Sequence, residues 1–272
     1  MARTLIAAST ALTLALSPSD AIFRPASGIP VAPLCAGIAR ATLFCVLEPL
    51  SLATGRWVAV ALAAVVASGW RPRITAVPHW WLSWSLIASG LVVDGGDHAA
   101  AVLTFLLIPI TITDPRRWHW EDAPDAPADT RHIVRSLVAR SSLVVTRVQV
   151  CGIYFHAAAG KLLVESWRDG TAAYYWLLDP QFGAPGYLRP LVRTIVQHPL
   201  GVAAITWGAI ALEFALAAAL ISAPRWRRPL MLAGLAFHTA IAVVNGLPSF
   251  ALAMSAALVL YLGGVSKARD RP

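Results

Sequence analysis

Charged side chains are scarce in this sequence. Only 13% of its 272 residues are Asp, Glu, Lys or Arg, while 57% are hydrophobic, against about a quarter charged in an ordinary soluble domain. The shortage excludes a soluble globular chain. Several apolar stretches as long as Leu200 to Leu220 would leave too few polar residues to cover a water-facing surface. Cysteine is equally sparse. Cys35, Cys45 and Cys151 are too few for a disulfide framework, and neither a Cys-x-x-Cys nor a Cys/His ligand spacing occurs, so no metal site is expected. Internal repeats and low-complexity tracts are lacking, as is any separate soluble region. The expectation is a single membrane-embedded domain over residues 1–272. Acid is the rarer sign of charge, and the net charge is +8. In a soluble protein that excess would suggest nucleic acid. Here Lys and Arg sit in short clusters between apolar segments, which excludes a nucleic-acid partner and marks them as topology signals.

What is present is a succession of apolar runs bounded by charge, Pro and Gly. They predict an all-α fold, a polytopic transmembrane bundle of about eight spans: 3–17, 57–70, 78–94, 98–113, 136–163, 199–222, 229–246 and 250–265. Runs shorter than ~20 residues must recruit flanking residues or meet a thin bilayer. The first, with Arg3 ahead of its apolar run, also fits a cleaved signal peptide, and both readings leave residue 18 onward outside. Alternation places Arg71 and Arg73 inside, Gly95 to Asp97 outside, Arg116 to Arg135 inside, Glu165 to His198 outside, and Arg225 to Arg228 and Lys267 to Arg271 inside. Both termini are then cytoplasmic in a multi-pass cell-membrane protein whose first partner is the lipid bilayer. Residues 31–52 read as an amphipathic helix on the outer face, with a further span as the alternative. Cys35 and Cys45 share that exported segment, where either a disulfide or two free thiols fits. The loop 165–198 carries Trp167, Tyr174, Tyr175, Trp176, Phe182 and Tyr187, amphipathic rings suited to an interfacial lid.

Polar groups within spans are costly and hence functional candidates. In the fifth, Arg140, Arg147, Tyr154 and Lys161 recur every seven residues on one helical stripe, with Ser142, Gln149 and His156 opposite. A helix polar on two sides belongs at the centre of a bundle. Counting the rise from the inner face puts Arg147, Glu213 and His238 at a common depth of ~15 to 18 Å. Glu213 is the only acid in its span. It is therefore expected to pair with Arg147 or His238, as a structural ion pair or a proton relay. Lys161 lies near the outer end. It either snorkels to the headgroups or acts as a desolvated general base. On the same outer side fall Asp94, Asp97, His98 and Asn245.

The run Ile153-Tyr-Phe-His-Ala-Ala-Ala-Gly-Lys161, continuing through Trp167-Arg-Asp-Gly170 to Tyr174-Tyr-Trp176, resembles the signature of the horizontally transferred transmembrane domain superfamily, and more narrowly its sporulation-delaying protein B branch. The resemblance extends to Ser68-Gly-Trp-Arg-Pro-Arg73, Asp94-Gly-Gly-Asp97, Thr113-Asp-Pro-Arg-Arg-Trp-His-Trp120 and Phe237-His238. It covers most of the chain. The superfamily includes vitamin K-dependent γ-glutamyl carboxylase, whose catalytic lysine matches Lys161. His98 lies where the carboxylase has an Asn-His pair, with Asp97 replacing the Asn, and Glu213 and His238 fall at its acid and Phe-His positions. The resemblance thus implies catalytic roles for Lys161, His98 and His156. It implies a reduced quinone as cofactor, with Trp167, Tyr174, Tyr175 and Trp176 as candidate binding residues. The nearer branch implies maturation or release of a secreted antimicrobial peptide, with the peptide precursor and a small accessory protein as partners. A carboxylase-like quinol-oxidising enzyme and a non-enzymatic transporter or immunity scaffold are the alternatives. The carboxylase's large lumenal domain has no counterpart here, so its reactions do not carry over.

Overall fold

The structure, a computed structural model, describes residues 1–25, 33, 35–122 and 130–263. It is all-helical. The long helices are α1 Ala2–Leu16, α2 Leu52–Ala67, α3 Pro72–Ser89, α4 Gly95–Ile112, α5 Thr130–Lys161, α6 Pro199–Ala218, α7 Pro224–Asn245 and α8 Pro248–Leu262. Proline starts several of them. In the first turn of α3, α6, α7 and α8 its missing N–H has no intrahelical acceptor to lose. α4 instead begins with a capping box, the Asp94 carboxylate accepting the Gly96 and Asp97 N–H groups while Asp97 accepts that of Asp94. α7 ends at Gly246, whose φ of +67° suits glycine.

The eight long helices follow the eight apolar runs, but among the described residues only four are long and apolar enough to cross a membrane: α4, residues 133–161 of α5, α6 and α7. This corrects the expected eight spans. α1, α2 and α8 have 15 or 16 residues, about 22 to 24 Å of helix against a hydrocarbon core of ~30 Å. α3 has the length, but Arg73, His79, three tryptophans and three serines dilute its apolar character. The amphipathic helix expected over 31–52 is also corrected. Within the described part a 3-10 turn, Gly37–Ala41, precedes a short helix, Leu43–Val46, and Thr42 between them is extended. Residues 123–129 of the basic loop and Lys267 to Arg271 lie outside the described residues.

The chain divides into two compact units, residues 1–146 with 248–257, and 147–247 with the chain from Leu258. In the first, α1 packs along α2 and α3 along α4. Gly55, Ala59 and Ala63 keep one face of α2 small, allowing close backbone approach. Leu14, Ile22, Phe23, Phe44, Leu82 and Leu86 fill the core, the Phe23 and Phe44 rings 4.7 Å apart. Cys35 and Cys45 are joined by a disulfide. In the second unit α6 packs on α7, and the short helices Ala172–Leu178 and Arg189–Gln197 pack against α6. Ala184, Val192 and Val196 form a small core beneath them.

Candidate functional site

Glu213 is the only charged residue of α6 and its side chain is 7% exposed. A carboxylate so placed is strongly destabilising without a partner. The partner is Lys161, the last residue of α5, whose Nζ donates to both Glu213 oxygens at 2.8 Å. This differs from the pairing with Arg147 or His238 expected from depth counting. Helical side chains lean toward the helix N-terminus. Lys161 accordingly reaches back one turn, its Nζ also 3.4 Å from the Ala157 carbonyl.

The loop that follows closes over the lysine. Gly160 and Lys161 carbonyls accept the Leu163 and Val164 N–H groups as α5 ends, and the short helix Glu165–Arg168 then carries Trp167 with its ring centroid 5.2 Å from Lys161 Nζ. That is cation–π range. Two contacts fasten the loop to α6. Gly170, at φ +84°, lies so close to Trp207 that a Cβ would meet its Nε1 at 3.0 Å. The Ala173 N–H donates to the buried Thr206 hydroxyl at 3.0 Å. The turn between them is set by Asp169, which accepts the Thr171 hydroxyl and N–H; those bonds hold its carboxyl below the ordinary range. α6 thus supplies Glu213 and also anchors the loop bearing Trp167.

Seven residues earlier on the same stripe of α5, Tyr154 meets His238 of α7, hydroxyl to Nε2 at 2.9 Å, both side chains buried. The sequence reading had His238 beside Glu213 and missed this pair. The seven-residue step from Tyr154 to Lys161 was the available signal. Arg147 does not join Glu213, and its Nε is buried with no hydrogen-bond partner among the described residues. His156 is exposed on α5. Tyr174, Tyr175 and Trp176 are exposed too, the tyrosine rings edge to face at 5.5 Å. His98 belongs to the first unit, exposed in the first turn of α4, where Asp97 is occupied by the capping box. Among the described residues no group of three or more His, Cys, Asp or Glu is placed to hold a metal ion.

A quinone beside Lys161 would need a flat apolar slot opening on its Nζ. The second unit does contain an apolar cavity of about 420 Å³, lined by Cys151, Phe155, Phe214, Ala217, Ala218, Leu220 and Ile221. Neither Lys161 nor any of the aromatic residues proposed for the cofactor lines it. That cavity therefore does not open on Lys161, and no step is derived through a quinone.

Among known proteins, the chain is similar to the uncharacterized protein YitO of Bacillus subtilis (strain 168), 40% identical over 264 residues, covering 96% of this chain and 84% of that one. It is 33% identical to the sporulation-delaying protein SdpB of the same organism over 267 residues, covering 97% and 80%. No family model matches, and no solved structure matches.

Proposed function

The chain belongs to the family of sporulation-delaying protein SdpB, and from that premise we propose that it is a multi-pass membrane protein that matures or releases a secreted toxin peptide. On this reading both termini are cytoplasmic and the working site is the outer end of α5, with Lys161, Glu213 and Trp167 as its centre. The peptide precursor is its substrate and a small accessory protein its partner. The remaining helices α1, α2, α3 and α8 complete the bundle with the four long and apolar enough to cross alone.

The observation that carries the proposal is the Lys161 to Glu213 ion pair, partly buried in an otherwise apolar helix and roofed by Trp167. A purely structural pair could be replaced by apolar side chains at little cost. A pair that remains 22% exposed at its lysine end is instead reachable by an incoming group. Lys161 can act there in two ways. As a cation it would orient a peptide carboxylate or carbonyl, exchanging one Glu213 oxygen for a substrate oxygen. As a base it must first pass a proton to Glu213 along the 2.8 Å contact, leaving a neutral amine to take one from the substrate. The resemblance of the Gly160-Lys161 block to the carboxylase lysine favours the second role.

Substitution separates these roles. In a producing strain, mass spectrometry of the secreted peptide is expected to show loss of the mature form with both Lys161→Ala and Lys161→Arg, because a guanidinium keeps the charge but does not deprotonate. Mature peptide from Lys161→Arg would make the lysine a positioning charge. Undiminished peptide from both variants, at wild-type protein levels, would remove Lys161 from the function.

A further inference from the structure

Two of the sequence blocks noted above, Ser68-Gly-Trp-Arg-Pro-Arg73 and Thr113-Asp-Pro-Arg-Arg-Trp-His-Trp120, meet in the first unit. Trp70 and Trp118 form an isolated antiparallel bridge, closed by Arg71 N–H to the Arg117 carbonyl at 2.7 Å and His119 N–H to the Gly69 carbonyl at 3.0 Å. Trp120 Nε1 donates to the Ser68 carbonyl at 2.8 Å. Arg73 Nε reaches the carbonyl of Ile112, the last residue of α4, at 3.3 Å. Three arginines and three tryptophans are thereby gathered at one end of a helix long and apolar enough to cross a membrane.

Among the described residues two of the nearby acids are already engaged, and a third, Asp122, acts on Arg116. Asp114 takes the Arg116 guanidinium at 2.7 Å, and Glu121 accepts the Arg117 and Trp118 N–H groups. Arg71, Arg73 and Arg117 are exposed, and none has a carboxylate within ion-pair distance among the described residues. Arg71 lies over the Trp70 ring at 6.0 Å, and Trp120 is 54% exposed. Permanent cations without counter-ions, set among indole rings, match the layer where lipid phosphates meet acyl chains. Guanidinium forks also suit phosphate oxygens better than a point charge would.

We propose that Arg71, Arg73 and Arg117, framed by Trp70, Trp118 and Trp120, form a site for the phosphodiester headgroup of an anionic phospholipid. The site stands independently of peptide maturation and requires only that this end of α4 meets a bilayer. An exposed phosphate-binding arginine of this kind contributes a factor of about five in affinity, so three contribute roughly a hundredfold.

The test uses the full chain purified in neutral detergent, with phosphatidylglycerol and phosphatidylcholine as probes and retained lipid counted by native mass spectrometry. The wild type should retain phosphatidylglycerol in preference. Arg71→Gln, Arg73→Gln and Arg117→Gln should each lower that preference about fivefold and together abolish it, while the three Arg→Lys changes should keep most of it. Arg193→Gln, an exposed arginine of the second unit, serves as the control and should leave it unchanged. Equal retention of both lipids by the wild type, or an unaltered preference in the triple Gln variant, would overturn the proposal. So would displacement of the lipid by inorganic phosphate at equal concentration, which would mark a site for free anions. Should the triple variant express poorly, the three single variants report the same loss stepwise.

Discussion

The two ion pairs among the described residues have nearly the same length and opposite architectures. Arg116 to Asp114 spans 2.7 Å and Lys161 to Glu213 2.8 Å. The first joins residues two apart in a loop, where the Arg116 N–H also donates to the Asp114 carboxylate at 3.1 Å, so the turn itself brings the charges together. The second joins residues 52 apart in sequence and exists only when the end of α5 lies against α6. Around the first are Arg3, Glu121 and Asp122, further charges at a partly exposed loop. Around the second are the apolar side chains of α6 and one indole face. Length alone therefore says little about a salt bridge; what decides is where each charge goes when the partner is removed. Arg116 turns to solvent, whereas a lone charge at the second site is left against apolar surface.

The sharpest way to break that contrast is Glu213→Leu. It strands the Lys161 ammonium and should cost about 3 to 5 kcal/mol, read as a fall in melting temperature and folded yield of the detergent-purified protein. Adding Lys161→Met removes the stranded charge and should restore most of the stability, while the peptide maturation proposed for this protein should stay lost. A single variant as stable as the wild type would erase the distinction between the two pairs. Next in size is Gly69→Ala, on the side of the local pair. Gly69 has φ +82°, and an added Cβ would lie 2.8 Å from Trp120 Nε1 and 3.0 Å from the His119 ring. A cost of about 1 to 3 kcal/mol is expected, with a red shift of tryptophan emission as Trp120 leaves its Ser68 contact. No shift would mean that this loop is held by something other than the bridge.

Much of the fold was legible because apolar content dominates this chain. The α5 pattern, for instance, pointed to a long helix, and one runs from Thr130 to Lys161. Span number was less legible, since an apolar run shows where a helix forms but not whether its ~15 residues can cover ~30 Å of hydrocarbon. At the candidate site, Glu213 announced its need for a partner by being alone in its helix. The identity of the partner was hidden, because counting residues from separate loops does not fix the register of α5 against α6, and one turn of lysine reach is too small to make up the difference. Tyr154 and His238 were each visible as polar groups in apolar runs. Their contact depends on how α5 and α7 face each other, which one chain's periodicity does not encode. The Arg and Trp blocks at residues 68–73 and 113–120 carried resemblance without geometry, and only the bridge between Trp70 and Trp118 gives them a shared place.

A smaller effect is expected from pH at the loop. His119 is pushed down from 6.5 to about 4, chiefly by burial, then by the N-terminal amine, Arg3 and Arg116, with Asp114 opposing. A neutral histidine in the fold against a protonatable one in the unfolded chain gives stability that is complete above about pH 6.5. It is lost as pH falls toward 4. His119→Gln, which can still hydrogen-bond the Thr4 hydroxyl now 3.1 Å from Nε2, should flatten the melting temperature between pH 7 and 4. An unchanged slope would assign the acid sensitivity of this region elsewhere.

The smallest effect should come from Asp114→Asn, which completes the comparison from the local side. Burial works to raise the Asp114 carboxyl, but hydrogen bonds and charge from Arg116 outweigh it and leave the group below its ordinary range. Its contribution is thus present above the ordinary carboxylate range and lost as pH falls through the lowered value. Asparagine keeps the turn, since its side-chain oxygen still accepts the Arg116 N–H, and gives up only the charge. Partly exposed pairs of this kind contribute about 0 to 1 kcal/mol, so the melting temperature at neutral pH should barely move. A loss as large as that of Glu213→Leu would mean that Asp114 offsets the buried Arg3 and the uncompensated arginines beside it. The local pair would then be the charge anchor of the first unit rather than the geometry of one turn.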